Sequence, residues 1–211
     1  MGKVSMNVEI NMPRFIDLVN ARFGGQIRTV FEVGSLDGKD ARIFEKHFPE
    51  AAVYAIEGLH SNVVKYMTHL KGVTAIERVI CDYDGFANFF EKTVNGIHSI
   101  HDRGAAYGTN ASLLPCNRLD TLCKELGVTS IDMLKIDAEG TTYEVLKGLG
   151  ELWSTVKIMH VETEDFPFFQ GQKLHKEVVE LLASNGFEMI ELSAAEITPG
   201  CFQHDSVWVK K

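Results

Sequence analysis

Residues 131–150 read IDMLKIDAEGTTYEVLKGLG. The apolar run Ile131 to Ile136 is expected as a strand. DAEG then turns the chain, and Thr142 to Gly148 has the spacing of a helix. Alternation along the strand sends Lys135 and Asp137 to one face and leaves Glu139 just past the tip. An ammonium inside a buried parallel strand is costly unless a carboxylate meets it. Two readings of this cluster stand side by side. Either Lys135 is paired within the core, or Asp137 stands at the strand tip beside a bound ligand.

Outward from this unit, short apolar runs alternate with longer amphipathic ones, the pattern of βαβ units. Upstream, a helix is expected from Pro13 to Phe23, stopped by Gly24 and Gly25. A first strand, Thr29 to Val33, leads through GSLDG into a helix from about Lys39 to His47. A second strand, Ala52 to Ile56, is followed by a helix capped at Ser61 and running to Leu70. A third strand spans Val73 to Val79. CDYDG reads as a turn and Phe86 to Phe90 as a short strand. Thr93 to Pro115, rich in Gly, Asn, Ser and His, reads as a long loop, a type that tends to be functional. A helix from Leu119 to Leu126 leads into the fourth strand at Ile131.

Downstream, a fifth strand covers Lys157 to Val161, and a helix runs from Lys173 to Asn185, ended by Gly186. A sixth strand, Phe187 to Leu192, and a seventh, Ser206 to Val209, leave no room for a helix between them. They are expected to pair as an antiparallel hairpin. The fold class is therefore α/β: a doubly wound, seven-stranded, mostly parallel sheet with helices on both faces. It forms a single domain over residues 1–211, with a helical lead-in at 1–28 and a loop insert at 93–115.

A chain of 211 residues can bury one full core without staples. The net charge of -8 argues against non-specific nucleic-acid binding and against anionic membranes. Cys81, Cys116, Cys123 and Cys201 form no C-x-x-C pair, so no zinc site is expected, and reduced thiols in the cytoplasm are. The N-terminal segment shows no apolar signal core. MGKVSM departs from the M-G-x-x-x-[ST] acylation pattern at Met6. No apolar run approaches the ~20 residues that span a bilayer.

The residues at strand ends carry the chemistry. FEVGSLDG, residues 31–38, follows the first strand. Gly34 permits a sharp turn and close approach to a ligand, and Gly38 lets the next helix start near the strand. The middle glycine of a dinucleotide fingerprint is absent. Glu32 and Asp37 would repel a pyrophosphate and suit a cofactor bearing a sulfonium and an ammonium. An ordinary glycine-containing turn would read the same. Glu57 ends the second strand, where a carboxylate can accept from both ribose hydroxyls. Asp82 could meet an adenine amino group beside the Cys81 backbone, or CDYDG is a plain turn.

FEVGSLDG, AIEG, CDYDG and above all IDMLKIDAEGTTYEVLKGLG resemble the FkbM family of methyltransferases, from about Thr29 to Gly150 and more weakly beyond. The resemblance implies the strand order 3-2-1-4-5-7-6 with strand seven antiparallel. It implies S-adenosyl-L-methionine as donor and O-methylation of sugars or polyketide-like compounds. It assigns Glu32, Gly34, Ser35 and Gly38 to the cofactor loop and Glu57 with Gly58 to the ribose. Asp82, with Cys81, falls on the adenine side, and Asp137 with Glu139 on the rim of the active site. Two departures stand out: S-L-D-G in the second half of the loop, and Gly58 in place of a frequent proline. The second implies a more flexible ribose loop.

Methyl transfer from a sulfonium is an in-line displacement that rests on positioning, and an oxygen acceptor needs a base or a metal. Base candidates are Asp137, His160 and Glu162 at the carboxyl ends of strands four and five; no spacing demands a metal. The segment Gly96 to Thr109 is expected as a lid over a small-molecule acceptor, with His98, His101, Arg103 and Tyr107 gripping it. Gly34→Val is expected to abolish cofactor binding in a folded protein. The alternatives are a nicotinamide-dependent oxidoreductase on a related sheet and a cofactor-binding module without catalysis.

Overall fold

The computed structural model describes residues 5–6, 10–92, 96–108 and 110–211. Residues 1–4 and 7–9, Thr93 to Asn95 at the start of the expected loop, and Thr109 at the end of the expected lid lie outside the described residues. In chain order the elements are β1 (Ser5–Met6), α1 (Met12–Phe23), β2 (Thr29–Val33), α2 (Lys39–His47), β3 (Ala52–Glu57), α3 (His60–Asn62) and β4 (Val73–Glu77). Then come β5 (Val79–Ile80), β6 (Gly85–Phe90), β7 (Ala111–Asn117), α4 (Leu119–Glu125), β8 (Met133–Ile136) and α5 (Thr142–Lys147). The chain closes with β9 (Ile158–Glu164), α6 (His175–Ser184), β10 (Phe187–Thr198) and β11 (Cys201–Lys210).

The main sheet has the order β1-β10-β11-β9-β8-β2-β3-β4. Counted from Thr29, this is 3-2-1-4-5-7-6, with β1 added as a parallel edge on β10. β4, β3, β2, β8 and β9 run parallel, and β11 lies antiparallel to both β9 and β10. Neighbouring residues along each central strand feed opposite faces, as a pleated strand requires. Val30, Met133 and Ile158 pack with Phe15 and Val19 of α1 and Phe44 of α2. Phe31, Leu134 and Met159 pack with Leu122 of α4, Val145 of α5 and Leu182 of α6. α1 begins where Asn11 accepts a hydrogen bond from the Arg14 N–H, with Pro13 in its first turn, and stops at Gly24. Among the described residues no helix is long and apolar enough to cross a membrane.

Three expectations change. The third strand breaks at Arg78: β4 stops at Glu77, and Val79–Ile80 leaves the main sheet to pair with Cys116 and Asn117. Part of the expected loop is a strand, since Ala111 to Pro115 belong to β7, the middle of a small sheet β5-β7-β6. Pro115 is the residue of this strand least suited to a sheet. It lies beyond the β5 pairing, so its missing N–H costs no bond on that side. The last hairpin is longer than its apolar pattern, because β10 and β11 stay paired beyond the stretch where β11 meets β9.

Gly34 shows how tightly the sheet edge is drawn. Its φ is +82°, and a Cβ there would stand 1.9 Å from the Asp137 carbonyl oxygen. Any side chain at 34 therefore strikes backbone of β8 before it reaches ligand space, and the expectation of a folded Gly34→Val variant is withdrawn. Gly34→Ala is expected to lose about 3 kcal/mol or more of stability, from a forced positive φ plus a backbone clash. Chemical denaturation of the unliganded variant measures this, and a midpoint equal to the parent's would refute it.

Candidate active site

Parallel strands bring their carboxyl ends to one edge, where ligands of open α/β sheets bind. A cleft, partly open to solvent, lies there. Its floor comes from Gly34 and Leu36 after β2, Glu57 and Gly58 at the end of β3, Arg78 to Ile80 after β4, and Asp137 to Glu139 after β8. Gly96, His98, Ser99 and Ile100 close it from the loop side.

The Glu57 carboxylate ties two loops together. Its Oε2 accepts from the Leu36 N–H at 2.9 Å and its Oε1 from the Leu59 N–H at 2.8 Å. Burial raises its pKa, and the amide bonds from Leu59 and Leu36 oppose the rise. Leu36 takes a positive φ of 50° within this turn. The Asn62 side chain and the Gly58 N–H also act on this carboxylate and oppose the rise. Gly58 is not a flexible replacement for proline: a Cβ there would stand 3.0 Å from the Phe89 ring and 3.1 Å from Val79. It is the close-fitting wall of the cleft.

Beneath the floor lies a buried ion cluster. Lys135 Nζ is 2.9 Å from Asp137, 3.2 Å from Asp40 and 3.7 Å from Glu32. Glu32 also accepts from the Ser35 hydroxyl at 2.6 Å and the Ala41 N–H at 3.0 Å. Burial pushes Glu32 up to about 7, against the pull of Lys135 and Ser35. The lysine itself is held well above its ordinary value by Asp137, Glu32 and Asp40 despite burial.

Several expected cofactor contacts lie elsewhere. Glu32 and Ser35 are below the cleft and do not line it. Gly38 starts α2 with φ +69° and makes room for Leu70. Cys81 is fully buried and packs with Leu59, Phe89 and Cys116. Asp82 points away to Lys147 at 3.1 Å. The break after β4 explains both displacements, because it carries the chain out of the cleft after Ile80. Arg78, Val79 and Ile80 line that end instead, a wall the sequence reading missed because it placed the strand's end two residues late.

The rim toward β9 is acidic. Asp137, Glu139 and Glu162 can each bring a carboxylate oxygen within 4.8 Å of the others, a geometry able to hold a divalent cation. Burial pushes Glu139 up to about 8, reinforced by Asp137 and Glu164 and opposed by Arg103. Glu164 rises to about 7, mainly by burial, with Arg103 opposing. Glu162 is held well above the carboxylate range by burial and by Asp137 and Glu139. His160 is not at this rim. It lies mid-strand under α1, its ring 5.2 Å from that of Phe15 and its Nε2 3.3 Å from Asp205.

The segment 96–108 folds over the cleft. Ser99 bridges to Phe90 through backbone bonds, and its hydroxyl donates to the Glu139 carbonyl at 2.7 Å. Lys92, buried, donates to Asp102 at 2.7 Å and to the Gly108 carbonyl at 3.0 Å. Of the four residues expected to grip an acceptor, His98 lines the cleft, and its Nδ1 accepts from the Lys92 N–H. Burial lowers its pKa. His101 faces Glu144 of α5 at 3.4 Å. Arg103 lies 3.8 Å from Glu139 and about 5 Å from the rings of Tyr107, Phe168 and Phe169, so these three aromatics cradle its guanidinium.

Comparison with known proteins adds the chemistry. A family profile describing the methyltransferase FkbM domain matches residues 32–189. The 2-O-methyltransferase NoeI of Sinorhizobium fredii (strain NBRC 101917 / NGR234) is 24% identical over 178 residues, spanning 76% of this chain and 72% of that protein. Among solved structures, magnesium protoporphyrin IX methyltransferase (ChlM) from Synechocystis PCC 6803, with bound SAH, superposes with a TM-score of 0.53 at 11% identity. That match covers 95% of this chain and 82% of that one. Precorrin-6y C5,15-methyltransferase from Geobacter metallireducens GS-15 gives 0.53 at 10% identity, covering 100% of this chain and 94% of that one. At such identities the structural likeness speaks for the fold.

The acidic rim makes a pH prediction. Glu139 and Glu164 bind protons more tightly folded than unfolded, so their contribution to stability is complete below about 4.5 and is lost as pH rises through about 7 to 8. Stability should fall between pH 5 and pH 8.5. Glu139→Gln should flatten this slope and be more stable than the parent at pH 8.5 by about 1–3 kcal/mol. Urea unfolding at the two pH values checks it; identical pH slopes would refute it.

Proposed function

The chain belongs to the methyltransferase FkbM family, and from that premise we propose that it moves a methyl group from S-adenosyl-L-methionine to a hydroxyl oxygen of a small molecule such as a sugar or a polyketide-like compound. The observation that carries the reading is the file of groups along one sheet edge. Glu57 stands where a ribose can be held, and Asp137 and Glu139 stand two strands away at the acidic rim. A carboxylate end of this kind suits a cationic donor and repels a pyrophosphate, which counts against a nicotinamide cofactor. The 2-O-methyltransferase relative supports an oxygen acceptor.

In this reading Glu57 accepts from the ribose hydroxyls, and Gly34 with Leu36 forms the floor beneath the donor. Asp137, fixed by Lys135, faces the methionine end. The acceptor oxygen attacks the methyl carbon in line with the departing sulfur. The C–S bond breaks as the O–C bond forms, and the hydroxyl proton passes to a base. Glu139 is that base: it lines the cleft, and burial gives it a proton affinity near neutrality. Glu162 shares the proton. Segment 96–108 is the lid that excludes water once donor and acceptor are in place.

Incubation with S-adenosyl-L-methionine and a panel of glycosides and hydroxylated polyketides tests the reading through release of S-adenosylhomocysteine and a methyl ether in the product. Binding of the donor without transfer to any hydroxyl would favour the non-catalytic module. Glu57→Gln is expected to weaken S-adenosylhomocysteine binding by about 1–3 kcal/mol, the loss of charge-assisted bonds to ribose. Calorimetric titration measures this, and unchanged affinity would remove Glu57 from the ribose site.

A further inference from the structure

Arg78 contributes the cleft's lone guanidinium among the described residues, and it forms no ion pair with any of them. Its backbone N–H donates to the Glu57 carbonyl at 3.0 Å, one residue past the β3–β4 pairing, which fixes it beside the ribose carboxylate. Its Nε is shielded from solvent and has no hydrogen-bond partner among the described residues. The two Glu57 oxygens are turned to the Leu36 and Leu59 amides, and no described carboxylate lies within ion-pair distance of the guanidinium. Buried donors are almost always satisfied, so such an N–H points to a ligand acceptor.

Sheet order says which part of the ligand. The strands run β4-β3-β2-β8 without interruption, placing Arg78, Glu57, Gly34 and Asp137 in file along the edge. Three strand spacings separate the ends, roughly 14 Å. The methyl group must lie near the base at the β8 end. With the ribose at Glu57, the region beyond it, away from β8, receives the purine. Val79, Ile80 and Phe89 supply apolar walls for the ring there.

We propose that Arg78 is a donor-binding residue that recognises the adenine ring through a hydrogen bond to one of its acceptor nitrogens. This rests on the reading that the cleft holds the methyl donor. Arginine is suited to the task because its planar fork can meet an in-plane ring nitrogen while remaining charged.

The test titrates S-adenosylhomocysteine and its 1-deaza, 3-deaza and 7-deaza adenine analogues into the parent and into Arg78→Met. The parent is expected to bind at least one deaza analogue about tenfold more weakly than S-adenosylhomocysteine, the scale of a lost hydrogen bond to a charged group. Arg78→Met is expected to weaken S-adenosylhomocysteine by a similar factor and to bind that analogue no worse. Arg78→Lys, which keeps the charge but not the planar N–H, should show the same loss of discrimination and serves if the methionine variant does not fold. Parent-like affinity in the variants, or discrimination that survives them, overturns the assignment. Failure of the parent to bind S-adenosylhomocysteine at all would overturn the donor reading itself, a result distinct from either.

Discussion

The buried ammonium of Lys135 is the interaction on which the site depends. It sits mid-sheet on β8 and gathers Glu32 from β2, Asp40 from the first turn of α2, and Asp137 from the tip of its own strand. Removing such a charge from water is expensive, and a buried ion pair is weak evidence of net stabilisation. What the cluster supplies is registry. Glu32 holds Ser35 and the start of α2 while Lys135 holds Asp137. The glycine turn and the β8 tip, which approach so closely that residue 34 admits no Cβ, are thereby fixed to the same point. Both walls of the cleft inherit their position from a cluster in which only Asp137 lines the cleft.

This arrangement separates what the sequence could and could not reveal. The doubly wound architecture and the site's place at the carboxyl edge were legible because they follow from periodicity and from glycines at strand ends, whereas the strand order came from the family resemblance alone. Lys135 was correctly seen to need a carboxylate. The identity of its partners was not legible, since Asp40 lies across a turn and its proximity is a product of packing. Glu32 read as a ligand-facing acid because a strand-end carboxylate beside a glycine loop looks the same from the sequence whether it points into the cleft or beneath it. The distinction depends on which pleat face the residue occupies, and Lys135 opposite Glu32 in the β2–β8 register is what decides it.

The errors around β4 have a different origin. Val73 to Val79 was read as one strand although the adjacent charges Glu77 and Arg78 interrupt its apolar pattern at the place where the strand breaks. The break arises because Val79–Ile80 finds a second partner in β7, a pairing between segments some 37 residues apart in the chain (Cys116 less Val79). Once the chain leaves, Cys81 and Asp82 are carried off the cleft, and Arg78 is left at the edge. His160 failed in the same way: its alternation with Glu162 was right, but the strand runs far enough under α1 that His160 meets Phe15 rather than solvent or ligand.

The acidic rim then acquires a physical reason. Asp137, Glu139, Glu162 and Glu164 converge where β8 and β9 run side by side, and burial with mutual repulsion raises the proton affinity of the three glutamates. Arg103 offsets part of that repulsion, but it comes from the covering segment, held there by Tyr107, Phe168 and Phe169. Segment 96–108 and the ionisation of Glu139 are therefore linked through one guanidinium: Arg103, seated on the aromatic rings, makes the carboxylate more acidic than burial alone would leave it. The coupling is reciprocal: a proton on Glu139 removes the charge that attracts Arg103 and so weakens one of the contacts seating segment 96–108.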